Sequence, residues 1–179
     1  MVPEEASDYE RDYRWALMER GTSVGFRRLQ RKIYAVAAEL GVDDSWATAL
    51  SCIALVETSQ RPAPLRAAEW ALNWTFRIAH TKRRLTCGPF QMYDAPFPTH
   101  IAAVQALQTL TTAIPVAAYS PKEHIDATAR LWFGSTHPEP GAQWSYSCAL
   151  FIAHDALRQI NHLAGATTKG NVGSSQLRV

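Results

Sequence analysis

The chain lacks the groupings of residues that build disulfide frameworks, metal centres and membrane spans. It has three cysteines in 179 residues, Cys52, Cys87 and Cys148, far apart and without paired spacing. That excludes a disulfide framework and a cysteine-rich zinc site. The six histidines (His80, His100, His124, His137, His154 and His162) are scattered, and no two have the spacing of a metal motif. No metal and no cofactor is therefore expected. Charge is sparse as well: Asp, Glu, Lys and Arg make up 19% of the chain and leave a net charge of +2. Such a balance is too small to argue for nucleic acid by itself. No stretch is long and apolar enough to cross a bilayer, and the charged start "MVPEEASDYERDYR" lacks the apolar core of a signal peptide. Taken literally, the chain is cytoplasmic as made, without a membrane span.

What the chain does have is apolar content. At 47% hydrophobic it belongs with ordinary soluble globular proteins, and its length is ample for one well-filled core. The pattern is helical nearly throughout. Phe26, Leu29, Ile33, Ala37 and Leu40 fall at helical spacing, and Gly41 stops that helix. Asp43 or Asp44 caps the next, which runs through Trp46, Leu50 and Ile53 to Glu57. Pro64 opens a third, with Leu65, Ala68, Leu72 and Phe76 on one face. Residues 81–99 contain Gly88, Pro89, Pro96 and Pro98 and cannot be one regular element, although residues 83–93 have room for a short β-like piece. Ile101, Val104 and Leu107 resume a helix. Ser120-Pro121-Lys122-Glu123 reads as a capping box opening another, to about Phe133. The last helix is expected from about Ala142 to Leu163, with Tyr146, Leu150, Ala153, Leu157 and Ile160 along one stripe. The expectation is an all-α, single-domain fold of about six helices with a long irregular central loop. Residues 1–21 read as a polar N-terminal arm, 22–164 as the folded domain, and the Gly/Ser/Thr-rich segment 165–179 as a flexible tail.

One position invites chemistry. The helix through "WATALSCIALVE" is apolar almost all round, as befits the middle of a core, yet it ends in the carboxylate of Glu57. Glu57 lies one step along the stripe of Trp46, Leu50 and Ile53. Burial disfavours its anion, and so does the negative end of the helix dipole. A carboxyl with a raised pKa is what general acid catalysis near neutrality needs. The alternative is a Glu57 that reaches solvent or pairs with Arg61 or Arg66, and the helix by itself does not choose. Downstream, "LTCGPFQMYD" (residues 85–94) groups a small hydroxyl residue, a glycine that lets backbone approach a ligand, a bulky apolar pair and the donor-acceptor Gln91.

In order and spacing, "ALVETSQRP" followed by "TCGPFQM" resembles the lysozyme-like superfamily, in its lytic transglycosylase and goose-type lysozyme branch. There a catalytic Glu ends a buried helix, and a Ser/Thr-x-Gly-x-x-Gln segment forms the floor of the sugar cleft. The resemblance implies Glu57 as the catalytic acid and Thr86, Gly88, Phe90 and Gln91 as substrate-binding residues. A later family element, aromatic-Asn-Gly followed by a helical Tyr, would correspond to "WFGS" (residues 132–135) and to Tyr146. Tyr146 is thereby implied to hydrogen-bond Glu57 or to steady the substrate's acetamido group, against a plain role in packing. The resemblance spans residues 43–160. It departs from the family in three places: Thr58 follows the Glu where Ser is usual, Phe133 stands where the Asn is expected, and the linker after Glu57 is longer than in the shortest members.

The activity implied is cleavage of the β-1,4 bond in peptidoglycan glycan strands by one dominant Glu. Glycosidases generally use two carboxylates. An inverting hydrolysis would need a second acid roughly 6.5–9.5 Å away, for which Glu69 and Asp94 are the candidates. Arg66 and Glu69, one helical step apart, also read as a structural ion pair. Peptidoglycan lies outside the cytoplasm, so the implied protein either leaves by a non-classical route or stays cytoplasmic until released. Two other readings stay open. One is a degenerate lysozyme-like module that binds glycan or a protein without cleaving. The other is a helical nucleic-acid-binding or regulatory protein using the basic runs Arg27–Lys32 and Lys82–Arg84, which leaves residues 85–94 unexplained.

Overall fold

The structure is a computed structural model and describes residues 4–59, 63–79, 86–93, 99–114, 121–133 and 145–172. Helix α1 (Glu4–Thr22) is charged along most of its length, but Tyr13, Leu17 and Gly21 recur every fourth residue and make a thin inward stripe. Leu17 is fully buried, and α1 packs on the third and seventh helices. The terminal methyl of Ile160 on the seventh helix fills the space beside Gly21, where a Cβ would make it shift. The segment expected as a polar arm is thus part of the core, and it brings the helices among the described residues to seven. A three-residue stripe inside a charged run is too thin to stand out in sequence.

Helix α2 (Val24–Glu39) begins where Ser23 accepts the Phe26 N–H at 3.2 Å and buries Phe26, Ile33, Val36 and Ala37. It ends in a Schellman motif: Val42 N–H donates to Ala37 O at 2.9 Å and Gly41 N–H to Ala38 O at 3.2 Å. Gly41 sits at φ +64°, the left-handed region that glycine adopts without strain. Asp43 then caps helix α3 (Asp44–Ser59) by accepting the Ser45 N–H at 2.8 Å. Leu50 through Val56 are buried without a break, and α3 touches α1, α2 and the fifth and seventh helices. It is the axis of the fold.

Helix α4 (Ala63–Ile78) follows, with Pro64 in its first turn, and then an antiparallel pair of two-residue strands, β1 (Thr86–Cys87) and β2 (Met92–Tyr93). The short β-like piece expected in the central segment is this hairpin. Helix α5 (Thr99–Ala113) presents Ala102, Ala103, Ala106, Leu107 and Leu110 to α2 and α3. Helix α6 (Pro121–Phe133) lies across α5 and helix α7 (Tyr146–Val172), which in turn packs on α1 and α3. The chain is an all-α single domain apart from the hairpin. Residues 165–172, expected within a flexible tail, continue α7: its packed N-terminal turns supply the nucleus from which helix propagates through poor helix formers. Residues 173–179 lie outside the described residues.

Candidate functional site

Glu57 stands in the last turn of α3, half-buried between the fully buried Val56 and Thr58. The hydroxyl of Tyr146, the first residue of α7, donates to Glu57 Oε1 at 2.8 Å. A long stretch of sequence separates the two, and the packing of α7 on α3 brings them together. Burial raises the Tyr146 phenol well above its ordinary value of 10.0, and the neighbouring carboxylate, which is also its acceptor, raises it further. Tyr146 is therefore a fixed, protonated donor. Its ring is held as well: Phe133, the last residue of α6, stacks on it with ring centroids 4.8 Å apart and planes 7° from parallel.

The hairpin is built around its turn. Cys87 pairs with Met92, enclosing Gly88, Pro89, Phe90 and Gln91. Gly88 has φ +77°, and Gln91 has φ +50°, a left-handed conformation unusual for a side chain other than Gly or Asn. Two bonds hold Gln91 there: its N–H donates to Gly88 O at 3.3 Å and its Nε2 to the same oxygen at 3.0 Å. Phe90 is buried, and its carbonyl accepts the Trp132 indole N–H at 3.1 Å. Since Phe133 follows Trp132, α6 ties the turn to Tyr146 and so to Glu57. Thr86 belongs to β1 and pairs with Tyr93 through the backbone. Asp94, like Arg61 and Lys82–Arg84, lies outside the described residues.

The far side of Glu57 is polar. Thr58 returns its hydroxyl to Ala54 O at 2.7 Å and accepts from Arg20 Nε at 3.2 Å, while Arg66 Nη1 donates to Thr58 O at 3.0 Å. A cation on a terminal carbonyl complements the negative end of α3. Burial and the nearby Arg66 lower the Arg20 guanidinium from its ordinary value. Arg66 comes from α4, and here the structure corrects the expected face of that helix. Leu65 and Leu72 are 49% and 48% exposed, and Ala68 is exposed with them; of the expected stripe only Phe76 is partly covered. The inward residues are Arg66, Glu69, Trp70, Asn73 and Phe76, with Asn73 fully covered. Arg66, Glu69 and Asn73 recur at helical spacing, so α4 turns a polar stripe inward.

The residues implied by the resemblance thus fall into one connected group, Glu57, Tyr146 and the turn holding Gly88, Phe90 and Gln91, joined through Trp132 and Phe133. Glu69 is half-buried on α4. Sequence reasoning missed Arg20 and Asn73, which carry no motif, and read Phe133 only as a departure. Cys52 is no nucleophile: burial pushes its thiol up to about 12. Of the basic run on α2, Arg28, Arg31 and Lys32 are exposed. Among the described residues no three His, Cys, Asp or Glu side chains gather as a metal site, and no helix is long and apolar enough to cross a membrane. No family model, curated protein or solved structure matches the chain.

Proposed function

We propose that this protein is a lysozyme-like enzyme that cleaves the β-1,4 glycosidic bond of peptidoglycan glycan strands, with Glu57 as its general acid and base. The observation that carries the reading is the Tyr146 hydroxyl on Glu57 Oε1, at the end of a buried helix. A structural surface glutamate needs no protonated phenol locked on it by a stacked ring; a carboxyl that must keep one orientation through a reaction does.

The carboxyl protonates the oxygen of the leaving sugar as the anomeric C–O bond breaks, and the carbonyl oxygen of the substrate's own N-acetyl group takes up the bond at that carbon. Glu57, now a carboxylate, removes a proton from the incoming hydroxyl, which attacks the same carbon and releases the acetamido group. If that hydroxyl belongs to the same sugar the product is an anhydro-sugar; if it is water the product is a reducing end. In this cycle Glu57 acts first as acid and then as base, with the Tyr146 hydroxyl on its Oε1. A second acid, for which Glu69 and Asp94 are the candidates, would be needed for inverting hydrolysis; in this cycle the substrate's N-acetyl group takes the nucleophile's place. The working protein belongs at the cell wall.

Mass spectrometry of purified peptidoglycan incubated with the chain is the test. Soluble muropeptides ending in anhydro- or reducing sugars are expected, and an undigested wall overturns the proposal. A second reading, a module that binds glycan without cutting it, is favoured by Phe133 standing against Tyr146 where the family carries Asn. Retention of the protein on glycan without product release would select it.

A further inference from the structure

Phe133 is 42% exposed although Tyr146 covers one of its faces. Its exposure therefore comes from the edge and the opposite face. What sets this ring apart from the other exposed apolar side chains is the aromatic stack that holds its other face. The near-parallel stack on Tyr146, whose own hydroxyl is bound to Glu57, fixes the plane of that open face and sets it one ring away from the candidate acid. Trp132, the neighbour of Phe133 in α6, is tied to the Phe90 carbonyl, and Tyr146, its stacking partner, to Glu57. A rigid, flat, apolar surface beside a general acid matches the apolar C–H face of a pyranose ring.

We propose that the open face of Phe133 is a sugar-stacking platform that binds an N-acetylhexosamine unit of the glycan next to the bond to be cut. This deepens the reading of Glu57 as a glycosidic acid and rests on it. The platform supplies binding that is equal in ground and transition states, so its loss should raise KM and leave kcat nearly unchanged. A residue that served only to position Tyr146 would lower kcat instead.

The test uses the full chain with the Glu57→Gln background for binding and the unsubstituted background for turnover, and a soluble N-acetylglucosamine oligomer as the binding probe. Titration by calorimetry should show Phe133→Ala binding the oligomer about tenfold more weakly, as loss of one contact of about 1.4 kcal/mol requires. Phe133→Trp should restore affinity and Phe133→Leu should not, with thermal unfolding of all three confirming that they fold. Unchanged affinity in Phe133→Ala, or rescue by Leu, overturns the platform while leaving the catalytic reading intact. A fall in kcat without a change in KM overturns it too and makes Phe133 a positioning residue. If the chain with native Phe133 neither binds the oligomer nor releases muropeptides, the reading of Glu57 fails and the platform with it.

Discussion

Helices α3 and α4 are neighbours in sequence, have sixteen residues each, and use their apolar residues in opposite ways. In α3 nearly all the apolar residues are buried, and Glu57 sits in its last turn, half-covered. In α4 the leucines at 65 and 72, Trp74 (68% exposed) and Ile78 (58% exposed) point outward, while Arg66, Glu69 and Asn73 point in. A helix that keeps polar residues inside and leucines outside gives up hydrophobic stabilisation. What α4 gains is contact with the end of α3: Arg66 holds the Thr58 carbonyl beside Glu57. The axis of the fold and the helix that holds its C-terminal end thus cover different kinds of residue.

The comparison breaks most visibly in stability. Leu55→Ala in α3 should cost about 2–5 kcal/mol, the range for a fully buried leucine. Leu72→Ala in α4 removes the same atoms from a half-exposed side chain and should stay within about 0.5 kcal/mol. Paired thermal or urea unfolding decides, and equal losses would contradict the inverted face of α4. On α4 itself the polar position should matter more than the apolar one: Asn73→Ala should cost about 1–2 kcal/mol by leaving buried polar partners behind, more than Leu72→Ala.

Two pH effects sharpen the picture at the ends of α3. Tyr146 has a raised folded-state pKa, so the unfolded chain releases this proton first. The stability it contributes is complete below pH 10.0, its ordinary value, and is lost as pH rises above that. Tyr146→Phe should remove this alkaline loss, seen as a flatter unfolding midpoint above pH 10.0. At the other end, Trp46 meets His124 of α6 edge-on, with ring centroids 4.3 Å apart. Burial lowers the His124 pKa below 6.5, against a smaller opposing pull from Asp43. Its contribution is present above pH 6.5 and is lost as pH falls through the depressed folded value. His124→Gln should blunt that acid loss, the smallest effect of the four.

Much of the fold was legible because its signals are local. Ser23, Gly41 and Asp43 punctuate helices by capping chemistry, and the unbroken apolar run of α3 has only one place to go. The inward stripe of α1 was not legible, since Tyr13, Leu17 and Gly21 are three residues among charges and Gly21 packs only through the side chains of other helices. The face of α4 was misread for a different reason. Hydrophobic periodicity assumes that apolar faces turn inward, and that assumption fails where polar residues find partners on neighbouring elements, as Arg66 does on the Thr58 carbonyl. The Glu57–Tyr146 hydrogen bond was one of the alternatives that the resemblance implied, whereas the stacking of Phe133 had no such pointer, because spacing in sequence does not encode a contact between the ends of two helices.

The central claim is that Glu57 is there for chemistry, and one substitution addresses it directly. Glu57→Gln keeps the shape of the side chain and an acceptor for Tyr146 while removing the titrating proton. Release of soluble muropeptides from purified cell wall should fall to background, with the thermal midpoint unchanged or higher. A Glu57→Gln protein that still releases them at the rate of the parent chain would contradict the account.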